Sequence, residues 1–214
     1  MGEEQRRRGR PAGLTEGDLL AVARALFLEC GYAATTMDEI AARARISKAS
    51  LYREHPSKAA LFSAVVSDWA VAGRDAMRPA LAQLVAGTNI SADLVDLART
   101  IRAGVLSPEV LGMRRLVTSE AARHPAIAAL YLAESWERNI DALADAFRAL
   151  DRQGRLRIVD ARLAADQFTW LTIGAPLNAQ LLTPIAGYET APTAASAVQL
   201  FLSGYAVLGD APSR

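Results

Sequence analysis

Apolar residues recur along the chain at spacings of three and four, with no strand-like alternation of useful length, so the pattern predicts an all-α protein. The first stripe, Leu19, Val22, Ala23, Leu26, Phe27 and Cys30, marks an amphipathic helix with one buried face, and puts Cys30 in the packing. That helix starts near Thr15, whose hydroxyl can cap it with Asp18 three residues on. It stops at Gly31, a residue suited to the left-handed position after a helix. Thr36-Met37-Asp38-Glu39 is a capping box opening a short second helix that buries Met37, Ile40, Ala41 and Ala44. After a tight turn at Arg45-Ile46, Ser47 caps a third helix through about Glu54. Pro56 breaks it, and Ser57 caps a long fourth helix running to about Pro79.

Further helices are expected at roughly 91–106, 108–123, 125–152, 160–182 and 192–208. Pro108 and Pro125 fall in first turns, where a missing N–H costs nothing, and His124 is a helix boundary. Asp160 and Thr193 are expected caps, and Gly154 and Gly187 mark turns. Residues 1–12 read as a polar arm rich in arginine. No internal repeat is visible.

The 214 residues, 51% of them hydrophobic, suffice for a small domain and a larger one. The formal net charge of +1 points to no partner by itself, but the first 60 residues hold ten basic and eight acidic side chains. The single cysteine excludes an internal disulfide and fits a reducing, cytoplasmic setting. No stretch approaches the roughly 20 apolar residues of a membrane span. A basic head before Leu19-Leu20-Ala21-Val22-Ala23 mimics a signal peptide, but Arg24 and Glu29 interrupt the run.

Two short helices separated by a turn form a helix-turn-helix candidate at about 36–55. Ile40, Ala41, Ala44, Ile46 and Leu51 fall inward. Lys48, Ala49, Ser50, Tyr52 and Arg53 are left mostly outward. Small side chains permit close approach to a major groove, while Lys48 and Arg53 reach base acceptors or phosphates. Gly31-Tyr32, Thr35-Thr36, Ile40-Ala41, Ser47, Leu51-Tyr52, Ser57-Lys58 and Leu61-Phe62, in this order and spacing, resemble the TetR/AcrR family of regulators over residues 15–62. The resemblance implies that the helix led by Ser47 is a recognition helix, with Lys48, Ala49 and Ser50 at base-contact positions. It also implies that Thr36, Tyr52 and Lys58 hold phosphates; Arg45 and Arg53 are further DNA-binding candidates. Arg6, Arg7, Arg8 and Arg10 of the arm are candidates for minor-groove or phosphate contact. Three residues depart from the family pattern: Arg45 for glycine in the turn, His55 for phenylalanine, and Ala59 for an acid. His55 is expected in the core.

The resulting organisation is a three-helix DNA-binding head at 13–73 and a larger helical regulatory and dimerisation domain at 74–214. The latter carries no metal-ligand spacing, phosphate loop or nucleophile elbow, so no enzyme, metal or cofactor is expected. Trp69, Met113, Tyr131, Trp136, Phe147, Phe168 and Trp170 are the candidate walls of an effector pocket. Few charges lie nearby, which suits an apolar or aromatic effector; Arg114-Arg115 could meet an anion. The stretches 168–182 and 197–208 are apolar on several sides, which calls for a second copy of the chain. The expected interface is Trp170, Ile173, Gly174, Leu177 and Leu181 with Val198, Phe201, Leu202 and Tyr205, and the resemblance implies a four-helix bundle there. The expected partners are thus an operator in double-stranded DNA, a small effector and a twin subunit, with no membrane. A constitutive architectural DNA-binding dimer without effector is the competing reading.

Overall fold

A computed structural model describes residues 15–73, 76–183 and 193–207. The arm with Arg6, Arg7, Arg8 and Arg10, and the turn at Gly187, lie outside the described residues. Among those described the protein is helical throughout, save an isolated antiparallel bridge between Leu156 and Ala206. It divides into two units, 1–68 and 69–214.

The first unit holds α1 (Glu16–Ala34), α2 (Met37–Ala44), α3 (Lys48–Glu54) and the start of α4 (Lys58–Gly73). Thr15 and Asp18 form a reciprocal capping box at the start of α1, and Thr36 and Glu39 form another at the start of α2. Gly31 takes φ 78°, which kinks α1 where the sequence places its end. Leu19, Leu20, Ala23, Leu26 and Phe27 are buried, but Cys30 is exposed, contrary to the stripe reading. It lies one residue before the kink, where the apolar face no longer governs. Phe27, Tyr32 and Phe62 pack ring on ring at 5.0–5.7 Å, and Ile40, Leu51 and Leu61 complete the core. His55 is buried there, its Nε2 without a hydrogen-bond partner.

In the second unit, α5 (Arg78–Ala86), α6 (Ile90–Val105), α7 (Pro108–Glu120) and α8 (Pro125–Tyr131) precede a π-helical turn, Leu132–Glu137. Then come α9 (Arg138–Arg152), α10 (Ala161–Leu182) and α11 (Ala194–Tyr205). Two expectations fail. The fourth helix ends at Gly73 rather than near Pro79, because Pro79 sits in the first turn of the unforeseen α5. The single helix expected at 125–152 is interrupted by the π turn, where the Asn139 amide donates to the Ser135 carbonyl (2.7 Å). Asp160 and Thr193 cap α10 and α11 through Leu163 N–H and Ser196 N–H.

The core of this unit centres on Phe147, Phe168 and Phe201, whose ring centroids lie 5.1–5.7 Å apart. Pro176, inside α10, cannot donate to the Thr172 carbonyl four residues back. Arg102 of α6 donates to that oxygen instead, at 2.8 Å. Arg115 of α7 likewise donates to the Gln180 carbonyl, in the last turn of α10. Arg155 pairs with Asp93 at 3.0 Å and also donates to the Leu84 and Val85 carbonyls at the end of α5.

Candidate nucleic-acid interface and ligand cavity

The turn of the helix-turn-helix is built on Arg45, which adopts φ 56°, ψ 38°, the left-handed conformation that glycine takes without cost. Its N–H reaches the Ala42 carbonyl at 3.1 Å, and Ile46 N–H the Ala41 carbonyl at 3.0 Å, so the α2 end is satisfied despite the strain. The Ser47 hydroxyl then accepts from Ser50 N–H (3.1 Å) and starts α3. Leu51, fully buried, is the one residue that α3 sinks into the core. Ser47, Lys48, Ala49, Tyr52 and Arg53 are exposed and Ser50 half-buried, so a continuous surface of small, cationic and phenolic groups faces outward.

These side chains differ in how free they are. Lys48 pairs with Asp38 at 2.6 Å, but both side chains are largely exposed, and such a pair is cheap to exchange for another anion. Arg53 donates to the Ser50 hydroxyl at 2.9 Å and lies 3.6 Å from Glu54. Thr36 is engaged more fully: its N–H and hydroxyl both donate to Glu39 (2.9 Å each). Those two bonds, the hydroxyl's first, hold the Glu39 carboxyl below the usual carboxylate range. Lys58 departs furthest from expectation. Its ammonium donates to the Tyr32, Ala33 and Thr35 carbonyls at 2.7, 3.2 and 2.8 Å and sits 4.5 Å from the Tyr32 ring centroid. An ammonium has three donors, and all three serve the end of α1.

The second unit contains a cavity of about 400 Å³. Trp69, Ala70, Ala72 and Gly73 of α4, Thr100, Ile101 and Gly104 of α6, and Val110 and Arg114 of α7 form part of its wall. Tyr131, Ser135, Trp136, Asn139, Ile140 and Thr169 close much of the rest. Of the sequence candidates it brings together Trp69, Tyr131 and Trp136. Met113, Phe147 and Phe168 are wholly buried in packing instead, and Trp170 is half-exposed with its ring 5.5 Å from that of Trp136. The Arg114 guanidinium lies 4.8 Å above the Trp136 ring, and its Nε is buried without a partner. Thr100, Ser135 and Asn139 escaped sequence reading; their signal was a polar residue on a face otherwise apolar.

The family model for the C-terminal domain of AefR-like transcriptional repressors matches residues 92–207, and that for bacterial regulatory proteins of the tetR family matches residues 19–65. The chain belongs to the TetR family. This TetR-family chain is therefore a transcriptional regulator with a helix-turn-helix DNA-binding unit. It is 54% identical over 46 residues to an uncharacterised HTH-type transcriptional regulator of Mycobacterium tuberculosis, a match spanning 22% of this chain and only 23% of that relative. Among solved structures, a TetR-family regulator from Mesorhizobium loti is 28% identical with a TM-score of 0.81, over 88% of this chain and 95% of its own. Another, the flavonoid-responsive regulator FrrA, is 29% identical with a TM-score of 0.69, over 89% and 96%.

Of the residues expected to meet a twin, some pack into the unit's own core in this TetR-family chain. Ile173, Leu177, Val198 and Phe201 are 2% exposed or less, filled by the unit's own core. Gly174, Leu181, Leu202 and Tyr205 are half-buried, and Trp170 stays exposed. Leu163 and Leu182 of α10 and Leu200 of α11 are exposed instead. Among the described residues no helix is long and apolar enough to cross a membrane, and no cluster of three or more acids, histidines and cysteines could hold a metal.

Proposed function

We propose that the protein acts as a homodimer that binds a near-palindromic operator and releases it when a small, mostly apolar effector fills the cavity of the second unit. The cavity is the observation that carries this reading: an architectural DNA-binding dimer has no use for about 400 Å³ of aromatic-walled space. Its wall includes Trp69, Ala70, Ala72 and Gly73, the last turns of the same helix, α4, that begins at Lys58 in the DNA-binding unit. An effector that fits one position of those turns better than another shifts the spacing of two heads by its differential affinity. FrrA, whose name marks it as flavonoid-responsive, gives the same kind of response a precedent on a similar structure.

Direct operator readout falls to Lys48, Ala49, Ser50 and Arg53 of α3, with Ser47 and Tyr52 at its edges and Arg6, Arg7, Arg8 and Arg10 following a neighbouring groove or phosphates. Thr36 caps α2, Arg45 shapes the turn before α3 and Lys58 secures the end of α1, so these three support the reading helix rather than meet DNA first. Selection from random duplex DNA, followed by footprinting, tests the reading. It should return two inverted half-sites about one helical turn apart, occupied by two chains. A single half-site, or one bound chain, would overturn it.

A further inference from the structure

We infer that the cavity takes a flat aromatic molecule bearing an anionic oxygen, a carboxylate, sulfonate or ionised phenol, with Arg114 as its anchor; this rests on reading the cavity as the effector site. Three aromatic side chains, Trp69, Tyr131 and Trp136, stand on its wall, and they offer faces and edges that suit a ring system. Arg114 is the one charged residue among the described residues that line it.

The state of that arginine decides the ligand chemistry. Its neighbours are spent on the fold: Arg102 holds the Thr172 carbonyl and Arg115 the Gln180 carbonyl. Arg114 rests its guanidinium over the Trp136 ring; its Nε is covered by protein atoms, and among the described residues nothing accepts a hydrogen bond from its terminal nitrogens, which are the donors left for a ligand. An anionic oxygen in the cavity takes those free terminal donors in a charge-assisted bond, stronger than a neutral acceptor makes. A cationic effector gains nothing here and meets a like charge. A neutral hydrocarbon fills the volume but shields the guanidinium from water without offering its terminal nitrogens an acceptor. The Trp136 side chain also carries the guanidinium on one face, so a ring stacked nearby and its acidic group are recognised together.

The test compares anilinonaphthalene sulfonate with phenylnaphthylamine, its uncharged parent, titrated by fluorescence into the full-length protein. Replacing the guanidinium in Arg114→Met should lower the ratio of sulfonate to parent affinity about tenfold, while Arg114→Lys keeps most of that ratio. Gly104→Phe should block both probes, because a side chain added at Gly104 meets open space on the cavity wall. A ratio unchanged in both Arg114 variants would overturn the anion anchor while leaving the cavity as a binding site. If neither probe binds the folded wild type, or Gly104→Phe leaves both bound as before, the cavity is not the site and both readings fall.

Discussion

Single residues show how far local chemistry constrains a DNA-binding head. Ser47 and the Thr36–Glu39 box were legible because capping needs a hydroxyl and a carboxylate at fixed offsets, and the structure uses both as read. Arg45 was legible as a problem: the turn needs the left-handed region, and the chain accepts a non-glycine residue there. Lys58 was not legible, because spacing places an ammonium near a helix start but says nothing of three carbonyls contributed from 23 to 26 residues earlier. Those bonds give the residue a structural job that can be measured. Lys58→Met should lower the stability of the full chain by about 1–2 kcal/mol, the value of charge-assisted bonds at a part-exposed site. The salt dependence of operator binding should stay as it was. A flattening of the salt slope by about one unit, with stability intact, would return Lys58 to the phosphate contacts.

Elements followed from apolar periodicity wherever one face was buried, and failed where a proline had two meanings. In sequence Pro79 marks the end of α4, yet a proline that stops one helix is equally at home in the first turn of the next, and this one opens α5. The π turn Leu132–Glu137 buries none of its residues, so apolar periodicity carries no signal of it. Pro176 shows the opposite economy: its missing N–H is compensated by Arg102, so α10 continues through it. This makes a coupled prediction. Arg102→Met strands the carbonyl of Thr172, a fully buried residue, and should cost about 1–3 kcal/mol in urea unfolding. Pro176→Ala restores a donor in the helix itself, so the double variant should lose less than Arg102→Met alone. Strictly additive losses would show that Arg102 stabilises by some other route.

At the scale of the molecule, apolar composition announced that the last helices bury more than one side, but not which side faces the chain's own core. On α10 the residues Ala161, Ala164, Ala165, Phe168, Thr169, Thr172, Ile173, Pro176 and Leu177 form the inward stripe at spacings of three and four. A helix apolar all round gives periodicity no means of choosing that stripe over its neighbour. What the fold leaves outside is Leu163, Trp170 and Leu182 on α10 and Leu200 on α11, each half or more exposed. Scattered exposed apolar residues are ordinary, and Leu28, Val71, Leu132 and Val159 are exposed elsewhere; those on α10 and α11 lie on the helices proposed to meet a twin. Leu163→Glu combined with Leu200→Glu alters only solvent-facing positions, so the fold should persist and the melting curve change little. Sedimentation should then report a monomer, because burying two carboxylates from each chain is strongly unfavourable. With one recognition helix left per particle, operator affinity should fall by roughly 10²-fold or more, the gain that linking two binding modules supplies. A variant that stays dimeric and keeps its operator affinity would put the twin on a different face of the second unit.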